Sequence, residues 1–357
     1  MRMDRRRFEP LDLGLEPRPE WWLVRPEEII SVCRSVKRGR AEVIAETPGG
    51  FPVYAVFYGD FDDEPPRSNW SASSNPESLP AYWAREGLPQ TVLFNAGTHG
   101  AEAESVAAAV NLIRMLETGR DCRGRTDGEL LDLIGKYRLI VIPCLNMDGR
   151  SIAPDHLRKA SFHDFRLASQ GAWADGSLIG WLGSKSYFPL PLDRVSFPGG
   201  YPNADGFNIM HDACPGHIRT AEAKAFLRLI ERHRVDFLLH GHSCEGGPTV
   251  LVPSLFNYPC HVKRGIDLLV EIYNDFHASG LAEKALPGIP EASGCTVNLN
   301  TLASLASGAL TLTLECCVSK NFTFDELMEP NFIMLKRVLR SGLELPFTDR
   351  RKIAGGR

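Results

Sequence analysis

Six short apolar runs, at residues 53–57, 91–95, 139–143, 235–239, 249–252 and 310–314, punctuate a chain whose intervening stretches repeat apolar residues at helical spacing. Each run is too short for a helix and too uniformly apolar to keep one face in water, so each reads as a buried strand. Buried strands interleaved with amphipathic helices predict an α/β protein with a mixed, mostly parallel twisted sheet and helices on both faces. Residues 103–116 place Val106, Val110, Ile113 and Leu116 on one helical face, and residues 220–232 do the same with Ala223, Leu227 and Ile230. A third helix is expected to begin at Thr323 and run toward Arg340. Glu326, three residues on, completes a reciprocal cap in which each side chain takes up a free backbone N–H.

At 357 residues, 43% hydrophobic and 24% charged, the chain has the composition of a globular protein and excludes a disordered or fibrous one. A net charge of −4 is too mild to grip nucleic acid or an anionic membrane, so a small-molecule or peptide partner is expected. No apolar run approaches the roughly 18 to 20 residues of a membrane helix, and MRMDRRRFEP is followed by no apolar leader segment. The nine cysteines include no C-x-x-C pair, and Cys316 and Cys317 adjoin within an apolar run. These features lead to the expectation of a cytoplasmic protein with reduced thiols. Residues 60–87 and 169–206, rich in Pro, Gly, Ser and aromatics, read as long loops.

The chemistry concentrates where the strands end. In FNAGTHGAEAESVAAAV an apolar run stops at Asn95, a glycine turn follows, and His99 and Glu102 stand where a helix starts, three residues apart and so on one face. VDFLLHGHS delivers His240 and His242 at the end of another run, at the edge where α/β sheets place their ligands. His240 is the favoured partner of His99 and Glu102 because it follows the strand directly. Two imidazoles and a carboxylate, with one position open to water, make the ligand set of hydrolytic zinc sites. Glu315 ends the GALTLTLECC run, a costly place for a carboxylate unless something there uses it.

Taken in order, these residues resemble the zinc metallocarboxypeptidase family, of carboxypeptidase A-like fold. The turn Asn146-Met-Asp-Gly149 is similar to the family's Asn-Pro-Asp-Gly turn. The resemblance implies one zinc ion on His99, Glu102 and His240. It also implies Glu315 as general base and acid, and Arg158 as the cation steadying the polarised carbonyl oxygen. It spans residues 26–345 as one catalytic domain, leaving 1–25 as an N-terminal extension and 346–357 as a tail. The HGHS run looks most like the cytosolic branch, which trims acidic tails, and leaves His242 on the substrate side. Asn208 matches the asparagine that grips a peptide's terminal carboxylate, but Ile209 stands where its arginine partner belongs, and Arg166, Arg194 and Arg219 are the available substitutes. The expected activity is removal of a C-terminal residue from a peptide or peptide-like amide. The alternatives are an N-acyl amino acid amidohydrolase with the same metal site and a non-catalytic binding module.

Overall fold

The structure is a computed structural model describing residues 8–61, 89–214, 216–251, 259–281, 297–318 and 322–347. Helix α1 (Pro26–Arg34) precedes an antiparallel pair, β1 (Arg40–Glu46) and β2 (Pro52–Tyr58). Then follow β3 (Thr91–Asn95), α2 (Ala103–Thr118), α3 (Gly128–Ile134), β4 (Arg138–Ile142) and α4 (Met147–Ile152). The middle of the chain holds α5 (Phe162–Gln170), the short strands β5 (Ala172–Trp173) and β6 (Val195–Phe197), and α6 (Gly180–Ser184) between them. The remainder is α7 (Ala221–His233), β7 (Phe237–Cys244), β8 (Thr249–Leu251), α8 (Pro259–Ala278), α9 (Leu299–Ser307), β9 (Leu310–Cys317) and α10 (Phe324–Glu344).

Seven strands form one sheet in the order β1-β2-β4-β3-β7-β9-β8. The inner four, β4-β3-β7-β9, are parallel, and antiparallel strands complete both sides. All five residues of β3 and of β4 are buried, which is why both read as unbroken apolar runs. The chain leaves β3 toward β4 on one side and later returns to β7 on the other. The crevice between the carboxyl ends of β3 and β7 is therefore a topological switch point, the place where such sheets bind ligands.

Alternation along β7 shows that helices cover both faces. Gly241 looks toward α2, where an added Cβ would lie 2.3 Å from Ser105 Oγ, so only glycine lets the helix approach. Its neighbour His240 looks the other way, toward Phe226 of α7 at 6.0 Å between ring centroids and toward Asn300 of α9. The helix starts follow the expected chemistry: Thr220 caps α7 by accepting from Ala223 N, and Thr323 and Glu326 form the reciprocal cap of α10.

Two boundaries differ from the sequence reading. Strand β7 runs on to Cys244, five residues beyond the expected end at 239. The 169–206 stretch carries the end of α5, a two-stranded sheet and a short helix rather than loop alone. The segment before α1 is anchored in the main core: Trp22 is fully buried, packs edge-on against Phe324 at 5.1 Å, and donates its indole N–H to Asp155 O. Residues 62–87 of the other expected loop lie outside the described residues. Among the described residues, no helix is long and apolar enough to cross a membrane.

Candidate metal centre and its cleft

The turn after β3 places His99, and Glu102 sits at the N-cap of α2. Its tight path depends on Gly100, where a Cβ would lie 2.1 Å from Arg150 N and 2.2 Å from the Gly149 carbonyl carbon. The Asn146–Gly149 turn is thus interlocked with the ligand turn. Asn146 also accepts from Gly149 N and donates to Tyr201 O at 2.9 Å, while Asp148 accepts from Thr47, Gly49 and Ala204. This turn therefore braces the His99 turn through close packing and ties it to the 200–204 stretch.

His99, Glu102 and His242 converge, all three buried. His99 Nδ1 lies 2.9 Å from Glu102 Oε1, His242 Nδ1 lies 2.8 Å from Glu102 Oε2, and the two Nδ1 atoms are 3.2 Å apart. Both imidazoles lower the proton affinity of Glu102, outweighing the opposing effect of burial. The orientation of His99 follows from Asn208. The Asn208 Nδ2 donates to Ser184 O at 2.7 Å, which turns Oδ1 toward Met210 N and toward His99 Nε2 at 3.1 Å. His99 Nε2 is thereby set to donate to Asn208 Oδ1, and Nδ1 faces the Glu102 carboxylate. Two ring nitrogens and a carboxylate oxygen converging this closely form a donor set that a cation can occupy. Two nitrogens and a carboxylate suit zinc, with Asn208 supplying the outer hydrogen bond that fixes the tautomer of a ligating imidazole.

The structure brings His242, not the favoured His240, into this cluster. His240 is paired across the sheet with Asn95, and its two ring nitrogens are occupied: Nδ1–H donates to Asn300 Oδ1, and Nε2 accepts from Asn95 Nδ2 at 2.8 Å and Thr98 Oγ1 at 2.6 Å. Burial holds it neutral. It braces the floor one level below the metal donors. The longer β7 is the reason for the exchange: both histidines point to the same face, and extending the strand moves its open end to His242.

Glu315 stands beside His242 in register on the adjacent parallel strand and so projects to the same face. It is the one residue of β9 that is not fully buried. Burial raises its proton affinity, with His242 acting against the shift and Glu102 adding to it. Tyr201, which nothing in the sequence marked, stacks flat on His99 at 3.8 Å. His211 is neutral, pushed down to about 3 by burial and by His99, Lys185 and His242.

Two other expected residues are placed differently. Arg158 is engaged by Glu16 and by the Phe322 carbonyl, with Phe324 under its guanidinium, so its donors are directed to the N-terminal segment and the start of α10. Asn208 orients His99 and has both ends of its amide engaged, while Ile209 is wholly buried. Of the substitute arginines, Arg166 is paired with Glu245 at 2.7 Å, Arg219 lies over Phe188 and Phe207, and Arg194 is exposed.

A family model described as zinc carboxypeptidase matches residues 68–163, which include His99 and Glu102. That match and the fold make the chain similar to zinc carboxypeptidases. Its fold is similar to that of a metallo-carboxypeptidase from Burkholderia cenocepacia, with 15% identity over 93% of this chain and 70% of that one and a TM-score of 0.56. It is also similar to a metallo-carboxypeptidase from Pseudomonas aeruginosa, with 13% identity over 94% and 70% and a TM-score of 0.54. A carboxypeptidase A from Helicoverpa armigera aligns at 14% identity over 90% and 71%, with a TM-score of 0.51. No curated protein sequence matches the chain. The donor set carried by this carboxypeptidase-like sheet is His-Glu-His, and the family it resembles is zinc-dependent.

Proposed function

We propose that the chain hydrolyses the C-terminal amide of a peptide or peptide-like substrate, with one zinc ion held by His99, Glu102 and His242 and with Glu315 as general base and acid. The observation that carries this reading is the juxtaposition of the His99, Glu102 and His242 cluster with a carboxylate beside His242 on the same face of the neighbouring strand. A zinc ion there supplies a Lewis acid that makes water nucleophilic near neutral pH. Glu315 then takes the proton of the attacking water on its carboxylate and returns it to the departing nitrogen, which otherwise leaves poorly. Its raised proton affinity suits both halves of that exchange. Tyr201 keeps the His99 ring face dry, and Asn208 keeps its tautomer fixed.

A second reading is favoured by Ile209 and Asn208, because a buried isoleucine and a fully bonded asparagine leave no asparagine-arginine pair to grip a peptide terminus. It makes the chain an amidohydrolase acting on N-acyl amino acids with the same metal site. The two separate on a panel of acidic-, basic- and apolar-tailed peptides assayed beside N-acyl amino acids. Stepwise release of single C-terminal residues supports the first, and turnover confined to N-acyl amino acids supports the second. In either case Glu315→Gln should lower kcat by about 10²- to 10⁴-fold with zinc content unchanged. Near-normal turnover in that variant removes Glu315 from the reaction.

A further inference from the structure

Near the His99, Glu102 and His242 cluster, one cation makes no ion pair among the described residues. Lys185 follows α6, next to Ser184, whose carbonyl holds Asn208. Its ammonium sits 3.7 Å from the centroid of the Trp181 ring. Trp181 in turn meets Tyr201 edge-on at 6.4 Å, and Tyr201 stacks on the metal donor His99. The ammonium is thus carried on an aromatic path leading to the metal centre, and among the described residues no carboxylate lies within ion-pair distance of it.

The other cations nearby differ. Arg166, which also lies over Trp181 at 5.6 Å, is neutralised by Glu245. Arg158 is held by Glu16, and Arg219 is exposed over Phe188 and Phe207. A half-buried ammonium that lies on a ring face and makes no ion pair among the described residues retains attraction for an anion. Burial draws its proton affinity down, and the negative field of Glu315 acts the other way.

We infer that Lys185, poised on Trp181, is the residue that binds a carboxylate of the substrate. It is a specificity determinant for the hydrolysis proposed above and rests on that reading for its biological meaning. The carboxylate has two sources, the terminal α-carboxylate or an acidic side chain, and a point-charge ammonium accepts either.

The test is a calorimetric titration of zinc-loaded Glu315→Gln protein, in which binding is read without turnover, using two isomers that differ only in where the charge sits. N-acetylglutamine offers the α-carboxylate alone and N-acetylglutamate α-amide the side-chain carboxylate alone, while neutral N-acetylglutamine amide is the control. At least one acid should bind about tenfold or more tightly than the control, and which one does so names the source. Adding Lys185→Met should erase that preference, and Lys185→Arg should restore part of it. Equal binding of acid and control, or a preference that survives Lys185→Met in protein with an unaltered melting temperature, overturns the inference. If Lys185→Met shifts the melt, the arginine variant decides: a preference no greater than that of the control overturns the inference. The hydrolase reading fails separately, if the wild-type chain binds the acid through Lys185 and yet cleaves none of the peptides or N-acyl amino acids.

Discussion

His99, Glu102, His242 and Glu315 stand on strand ends and one helix start, each pinned by a sheet whose register admits no slippage, whereas Trp181, Lys185, Tyr201 and Asn208 hang on a segment with only a two-stranded ribbon and short helices of its own. The floor is held by backbone ladders and buried hydrogen bonds. The rim is held by aromatic contacts and single side-chain bonds. On the reading proposed above, the chemistry, which tolerates little displacement, falls on the first, and recognition, which tolerates more, on the second.

The sharpest way to break this division is to exchange the roles of the two β7 histidines. His242→Ala should weaken zinc binding more than about 100-fold, beyond the usual effect of losing an outer hydrogen bond. His240→Ala should keep zinc stoichiometric while lowering stability by roughly 2–4 kcal/mol, since it opens a cavity and strands the partners on Asn95, Thr98 and Asn300. Metal analysis and denaturant unfolding read the two outcomes, and loss of zinc only in the His240 variant would invert the assignment.

Asn208 is where rim and floor meet. Asn208→Ala releases His99 Nε2 and should cost about 10- to 100-fold in zinc affinity, measured by chelator competition. An unchanged affinity would make this asparagine a rim residue only.

Glu222 ties the rim to α7 by accepting from Asn203 Nδ2, and its buried carboxyl is pushed up to about 7 by burial, reinforced by Asp148 and Asp205 against the pull of that hydrogen bond. Because the folded state favours the protonated form, this contribution to stability is full below the ordinary carboxylate value and is lost as pH rises toward and through about 7. Unfolding free energy should fall by roughly 2 kcal/mol between pH 5 and 7 on this account. Glu222→Gln should flatten that slope in urea titrations, and an identical slope in the variant would locate the pH dependence elsewhere. The smallest effect expected is that of Trp181→Ala, which leaves zinc content unchanged and raises KM by a few fold as Lys185 loses its ring.

The same division explains what could be read from the chain. Strand β3 and the cap at Thr323 carry short-range signals, in an apolar run and cap spacing, and the structure reproduces them. The choice between His240 and His242 turned on where β7 stops. The Gly241 that reads locally as a breaker is a packing site against α2, which only the third dimension reveals. Arg158 illustrates a different obstacle: its partner Glu16 lies 142 residues away, in a segment with no periodic pattern. Tyr201 and Lys185 gain their roles from ring contacts between irregular stretches, for which no spacing rule exists.

The close approach of Gly100 to the Gly149–Arg150 peptide makes the two turns a single moulded piece. A laboratory that transplanted the His-x-x-Glu sequence onto another α/β scaffold would transfer the donors without the die that shapes them. The smallest portable unit of this centre is a pair of turns almost fifty residues apart.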